Sequence, residues 1–161
     1  MIINEKDLPK IREKHKHQKI VYCSGSFDLV HIGHVLHFEF CKKQGDILVV
    51  NIGSDKDIQR NKGIGRPILN QKIRLETVSL LKPVDYCFVG QEFKDGQSPF
   101  ANLESVLKSL RPDIYVINKD SKSLIPLSKT MAQKYKFKLV ISNRKHPIST
   151  TEIIQKIKNL D

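Results

Sequence analysis

Apolar residues in this chain fall into short, nearly unbroken runs, separated by longer stretches in which they recur at helical spacing. Five runs predict strands: Lys19–Cys23 ending at Ser24-Gly25, Asp46–Ile52, Val84–Val89, Asp113–Ile117 and Phe137–Ser142. Between them the pattern predicts helices. The first covers Glu5–His17 with Pro9 in its first turn, and the next His34–Lys43, apolar at Val35, Leu36, Phe38 and Phe40 and stopped by Gly45. Another is capped by Asn70 and runs to about Leu81. Ser98-Pro99 opens a further one that ends at Arg111-Pro112, and the last two cover Pro126–Lys134 and Thr150–Leu160.

Strands without polar alternation are strands covered on both faces. Alternated with helices, they predict an α/β fold: a Rossmann-like, doubly wound, parallel five-stranded sheet with helices on both faces. The 161 residues suit a single domain, with residues 1–18 as an N-terminal helical extension. There is no internal repeat and no low-complexity linker. In such a sheet ligands bind beyond the carboxyl ends of the strands, so candidate residues are sought just after strands.

Composition changes this picture little. No apolar run approaches a bilayer span, and the lysine-studded first residues lack the apolar stretch of a secretory signal. Cys23, Cys41 and Cys87 are odd in number and far apart, with no CxxC or Cys/His cluster along the chain. Neither a disulfide framework nor a zinc site is expected, and a cytoplasmic location is. The charge adds more. Lys+Arg number 28 against 17 Asp+Glu, a net +11. That balance suits a polyanionic partner, or simply a lysine-rich solvated surface.

The chemistry concentrates in two loops. Directly after the first strand stands Gly25-Ser26-Phe27-Asp28-Leu29-Val30-His31-Ile32-Gly33-His34. Gly25 permits a tight turn off the strand, and Gly33 lets backbone approach a bound group as the helix begins. The first turn of that helix offers unpaired N–H groups and a positive dipole end to phosphate. His31 and His34, three apart, can point the same way and donate to a triphosphate and to charge developing during phosphoryl transfer. Alone, H-x-G-H could also be two surface histidines. Its place between a strand and a helix favours the functional role.

The second loop is Arg144-Lys145-His146-Pro147-Ile148-Ser149-Thr150-Thr151-Glu152, between the last strand and the last helix. Ser149 or Thr150 with Glu152 makes a helix cap. The same hydroxyls and amides can also cradle phosphate, with Arg144 adding a charge-assisted bond. Two anion-binding helix starts that converge on one nucleotide say more than either alone.

Together, G-S-F-D-L-V-H-I-G-H, the late I-S-T-T and the middle residues Asn61-Lys62-Gly63, Arg66-Pro67-Ile68 and Arg74 resemble the cytidylyltransferase-like nucleotidyltransferase superfamily. The resemblance runs from about Ile20 to Leu160. It is greatest to the adenylyltransferase domain of bacterial heptose-phosphate synthases, then to glycerol-3-phosphate cytidylyltransferase. It implies transfer of a nucleoside monophosphate from ATP or CTP to a phosphorylated sugar or alcohol, with release of pyrophosphate. His31, His34 and Lys62 would be catalytic, Lys62 reaching in from a mobile loop. Ser26, Phe27, Asp28, Gly33, Arg74, Arg144, Ser149 and Thr150 would bind the nucleotide. Mg²⁺ would arrive with the triphosphate, held by phosphates and water rather than by a protein carboxylate cage. A homodimer is implied by the same analogy, and no membrane or nucleic-acid partner is expected.

One segment departs from the resemblance. Where these relatives carry a glycine after the fourth strand, this chain reads Val116-Ile117-Asn118-Lys119-Asp120-Ser121. A changed pocket, a different base or acceptor, or lost activity are all compatible with it. Two alternatives stand: a flavin or other small-molecule nucleotidyltransferase, and a nucleotide-binding protein that has lost catalysis. A basic nucleic-acid binder is disfavoured, because no aromatic residues interleave with the charges to stack bases. His37 is expected to be structural or exposed, and His15, His17 and His146 carry no role.

Overall fold

Residues 1–92, 101–143 and 147–160 are described by a computed structural model of the chain. Strands β1 (Ile20–Gly25), β2 (Ile47–Ile52), β3 (Tyr86–Val89), β4 (Ile114–Asn118) and β5 (Lys138–Ser142) form one parallel sheet in the order β3-β2-β1-β4-β5. The chain builds outward from β1 through β2 to β3, then returns to the other side of β1 with β4. The switch point therefore lies where β1 and β4 end side by side, and both expected loops with described residues lead there.

Strand alternation divides the core into two layers. Ile20, Tyr22, Val49, Phe88 and Tyr115 face one way, against Leu8 and Ile11 of α1 (Leu8–Lys14), Val106, Leu107 and Leu110 of α5 (Ala101–Leu110), and Met131 of α6 (Ile125–Tyr135). Val21, Cys23, Leu48, Val50, Cys87 and Val116 face the other way, against Phe38 and Cys41 of α2 (Ile32–Lys42) and Val78 of α4 (Gln71–Ser79). Continuous apolar strands are thus covered on both faces, as the sequence pattern requires.

The N-terminal segment is shorter and more broken than the predicted helix. A 3-10 turn at Glu5–Asp7 precedes α1, which has Pro9 in its first turn and stops at Lys14. The Arg12 guanidinium accounts for the stop: it donates to the carbonyls of His15 (2.5 Å) and Gln18 (3.0 Å) and pairs with Asp113 at 2.9 Å. Those carbonyls are turned toward a side chain instead of continuing the helix. Ile2 also bridges to Cys87, so the segment is built into the domain.

An element absent from the sequence reading is α3 (Asp55–Lys62), capped by Ser54 and closed by Gly63 at φ 90°. It is polar apart from Ile58, which is buried. No apolar periodicity could announce it. The helix start expected at Ser98-Pro99 lies outside the described residues.

Candidate active site

β1 ends at Gly25, and the ring of Phe27 folds back over it. A Cβ at Gly25 would stand 2.8 Å from the Phe27 ring, so glycine is needed here for close approach rather than for a turn. Phe27 packs on Phe38 (ring centroids 4.8 Å apart) and meets the edge of His34 (5.6 Å). It is a buried prop beneath the histidine. Phe27 and Leu29 both adopt left-handed backbone, φ 47° and 46°. Such angles cost a non-glycine residue about 1–2 kcal/mol each. What holds them is the residue between.

Asp28 is buried, and its carboxylate accepts from the amides of Ile68 (2.9 Å) and Leu69 (3.0 Å) and from Arg66 Nε (3.1 Å). Burial by itself would raise its pKa. The Leu69 and Ile68 amides and the Arg66 guanidinium outweigh that and hold it below the ordinary carboxylate value. The first loop is thereby fastened to residues 66–69.

α2 begins one residue after His31, its N-cap, whose Nδ1 accepts from the Gly33 amide at 3.1 Å. In the neutral ring the proton therefore sits on Nε2, which makes that nitrogen a donor. His31 and His34 stack with centroids 4.0 Å apart and an interplanar angle of 27°. Opposite them α7 (Thr150–Lys158) starts with the expected capping box: Ser149 accepts from the Glu152 amide, and Glu152 accepts from the Ser149 amide. Both helix starts open onto a single pocket of about 410 Å³ at the switch point, in the size range of small-ligand sites.

Ser26, Phe27, Asp28, His31, His34, Lys62, Ser149 and Thr150 all line this pocket. Gly33 sits buried in the first turn of α2, behind the histidines. Lys62 reaches the pocket from the last turn of α3 and not from a loop. Partial burial there, followed by the charge of Arg66, lowers its pKa below the ordinary lysine value, against the opposing pull of Asp28. Arg144 lies outside the described residues.

Arg74 does not join them. Its side chain is fully buried behind the loop and donates to the carbonyls of Leu69 (2.9 Å), Ser26 (2.5 Å) and Gly53 (2.8 Å) and to the Asp55 carboxylate (2.7 Å). The phosphate contact expected of it is replaced by a scaffold role. A guanidinium spent on four protein acceptors holds backbone in place instead of holding ligand.

Of the remaining lining residues, the sequence assigns Tyr115 and Arg66 no role, while Asn118–Ser121 is the segment expected to alter the pocket. Arg66 borders the pocket, and its Nη2 is buried without a hydrogen-bond partner among the described residues. Its signal was present, because arginines are few in this chain, but only the fold shows which way it faces. Tyr115, Asn118, Asp120 and Ser121 line the side formed by β4 and the loop after it. Asn118 accepts from the Asp120 amide at 2.9 Å and so shapes the turn that holds no glycine. His37, expected to be structural or exposed, is buried yet borders the pocket, one turn of α2 below His34. Nor are the cysteines all isolated: His37 and Cys41, four apart on α2, are joined in space by Cys23, which nothing in its place along the chain shows.

A parallel sheet with two helix starts at its switch point, one of them carrying a stacked H-x-G-H pair, fits the pattern of a nucleotidyltransferase-type site. Comparison with known proteins agrees. Residues 22–156 match the cytidylyltransferase-like family. The chain is 33% identical over 151 residues to bifunctional protein HldE of Helicobacter pylori strain P12, covering 94% of this chain and 30% of that protein. It is 30% identical over 145 residues to HldE of Syntrophotalea carbinolica, covering 90% and 28%. Among solved structures, the lipopolysaccharide core biosynthesis protein of Thermoplasma volcanium superposes with a TM-score of 0.67 at 28% identity, over 80% of this chain and 98% of that one. Pantoate-beta-alanine ligase of Francisella tularensis, at 18% identity and TM-score 0.67 over 98% and 77%, shares the fold. The chain belongs to the cytidylyltransferase-like family. It spans about three tenths of the length of the curated relatives it matches. No helix among the described residues is long and apolar enough to cross a membrane.

Proposed function

We propose that the chain transfers a nucleoside monophosphate from ATP or CTP to a phosphorylated sugar or alcohol and releases pyrophosphate. One observation carries this: the stacked His31–His34 pair, Lys62 and the α7 start line a single pocket. In-line attack by an acceptor phosphate oxygen forms the new O–Pα bond. The Pα–O bond to the β-phosphate breaks, and pyrophosphate leaves with the electron pair. A phosphate acceptor is ionised at neutral pH, so the site needs charge complementarity more than a strong base.

His31 Nε2–H and His34 would donate to the triphosphate where charge grows in the transition state. Lys62 and the unpaired Nη2 of Arg66 would hold the α-phosphate or the acceptor phosphate. Ser149, Thr150 and the α7 amides, with Arg144, would hold the remaining phosphates. Mg²⁺ supplies charge neutralisation on the triphosphate when bound. The pocket suits an ion carried by its substrate, because both Asp28 carboxylate oxygens already accept protein donors and no acidic cage lines the pocket among the described residues. Asn118, Asp120 and Ser121 would meet the base or acceptor, and their departure from the usual glycine keeps a flavin-type acceptor and loss of catalysis as alternatives. A homodimer is proposed from the same resemblance, and a cytoplasmic setting from the composition and the scattered cysteines.

The test is pyrophosphate release from ATP, CTP, GTP and UTP against a panel of sugar and alcohol phosphates. Release with one donor and one acceptor class supports the proposal. Nucleotide binding without release across the panel favours the binding protein.

A further inference from the structure

Outside the transfer chemistry, one group of metal-ligating side chains comes together among the described residues, next to the pocket that His37 borders. Cys23 stands on β1, two residues before Gly25. His37 and Cys41 are four apart on α2, one turn above the other on the same face. All three are buried, and Cys23 Sγ, Cys41 Sγ and the imidazole nitrogen lie within 4.8 Å of one another. Cys41 Sγ and His37 Nε2 are 3.6 Å apart. In a tetrahedral zinc site with Zn–S of about 2.3 Å and Zn–N of about 2.0–2.1 Å, a sulfur and a nitrogen sit roughly 3.6 Å apart. A buried cysteine usually acts as a small apolar side chain and needs no polar company. Cys87 is of that kind: among the described residues its thiol makes long contacts to the Met1 and Leu75 carbonyls, at 3.9 Å, and joins no other donor cluster.

We infer that Cys23, His37 and Cys41 form a Cys₂His site for one thiophilic divalent cation of the zinc class. Two thiolates and an imidazole are soft and borderline donors, which select such ions over Mg²⁺. Three protein ligands leave a fourth tetrahedral position, and His37 borders the pocket, the side from which water could fill it. Binding would release the thiol protons of Cys23 and Cys41 to solvent and change no oxidation state. The ion would tie β1 to α2, the two elements that deliver His31 and His34. This site is separate from the Mg²⁺ that travels with substrate, and its test uses no substrate.

The reduced, chelator-stripped chain is titrated with Co²⁺. One equivalent should bind with thiolate-to-cobalt charge-transfer absorption and tetrahedral d–d bands, and Zn²⁺ should displace it. Cys23→Ser and Cys41→Ser should each lose this signature, and Cys87→Ser should keep it. If the serine variants fail to fold, alkylation of the unaltered chain mapped by mass spectrometry decides. At a tenfold excess of Zn²⁺ over its dissociation constant, Cys23 and Cys41 should react roughly tenfold more slowly, with Cys87 unchanged. No cobalt uptake by the folded chain, a signature that survives both substitutions, or equal protection of all three cysteines would overturn the inference. So would oxidation of Cys23 and Cys41 to a disulfide in a chain that takes up no metal when reduced.

Discussion

The Thr150 hydroxyl donates to the backbone carbonyl of Asp28 at 2.7 Å, joining residues 122 apart in sequence. One partner belongs to the loop that delivers the two histidines, and the other to the first turn of α7. This bond sets the separation of the two helix starts across the pocket.

Thr150→Val should therefore loosen that separation. A part-buried hydrogen bond of this type is worth about 0.5–1.5 kcal/mol, so denaturant unfolding should show a loss of that order. Pyrophosphate release should fall by more than the stability loss explains, and Thr150→Ser should restore both.

The stacked histidines should separate by experiment. His34→Ala should lower kcat by about 10²–10³-fold with little change in stability. His31→Ala should lose comparable activity and, because His31 caps α2, a further ~1 kcal/mol of stability. His31→Asn should recover the cap without the activity. Near-normal turnover in His34→Ala would remove that residue from the mechanism.

Lys62→Met should lower kcat/KM by about 10²-fold while thermal unfolding stays unchanged, since the side chain lies at the pocket rim. Burial and Arg66 lower the Lys62 pKa, so the protonated form is lost at a lower pH than for an ordinary lysine. The alkaline limb of the rate profile should sit below 10.5 and vanish in the Met variant.

Arg74→Lys should act on folding. One ammonium cannot reproduce a guanidinium that reaches three carbonyls and Asp55. A loss on the order of 3 kcal/mol is expected from urea unfolding. A variant of normal stability and raised KM for nucleotide would return Arg74 to the ligand.

Asp28 should make stability depend on acid. Its folded pKa lies below the ordinary 3.8, so its contribution is complete above that value and is lost as pH falls through the lower, folded one. Asp28→Asn should unfold about 2–4 kcal/mol more easily at neutral pH. The gap between variant and parent should close as pH drops below 3.8.

Much of this protein is determined by sequence alone. Unbroken apolar strands between amphipathic helices leave few options besides a parallel sheet covered on both sides. Glycine, serine and histidine at two strand-to-helix junctions place anion-binding helix starts at its carboxyl edge. Asn70 and Ser149 cap their helices as local side-chain chemistry requires. These features are legible because they depend on neighbours within a few residues.

Tertiary structure decided the rest, because the direction of a long side chain depends on partners far away in sequence. Arg66 and Arg74 stand eight residues apart with the same chemistry. One turns into the pocket and the other is enclosed by Ser26, Gly53 and Asp55. The polar helix that carries Lys62 has no apolar period to reveal it. Cys23 meets His37 and Cys41 only because β1 lies beneath α2, a packing that depends on side-chain volumes across the whole layer and that no local spacing encodes.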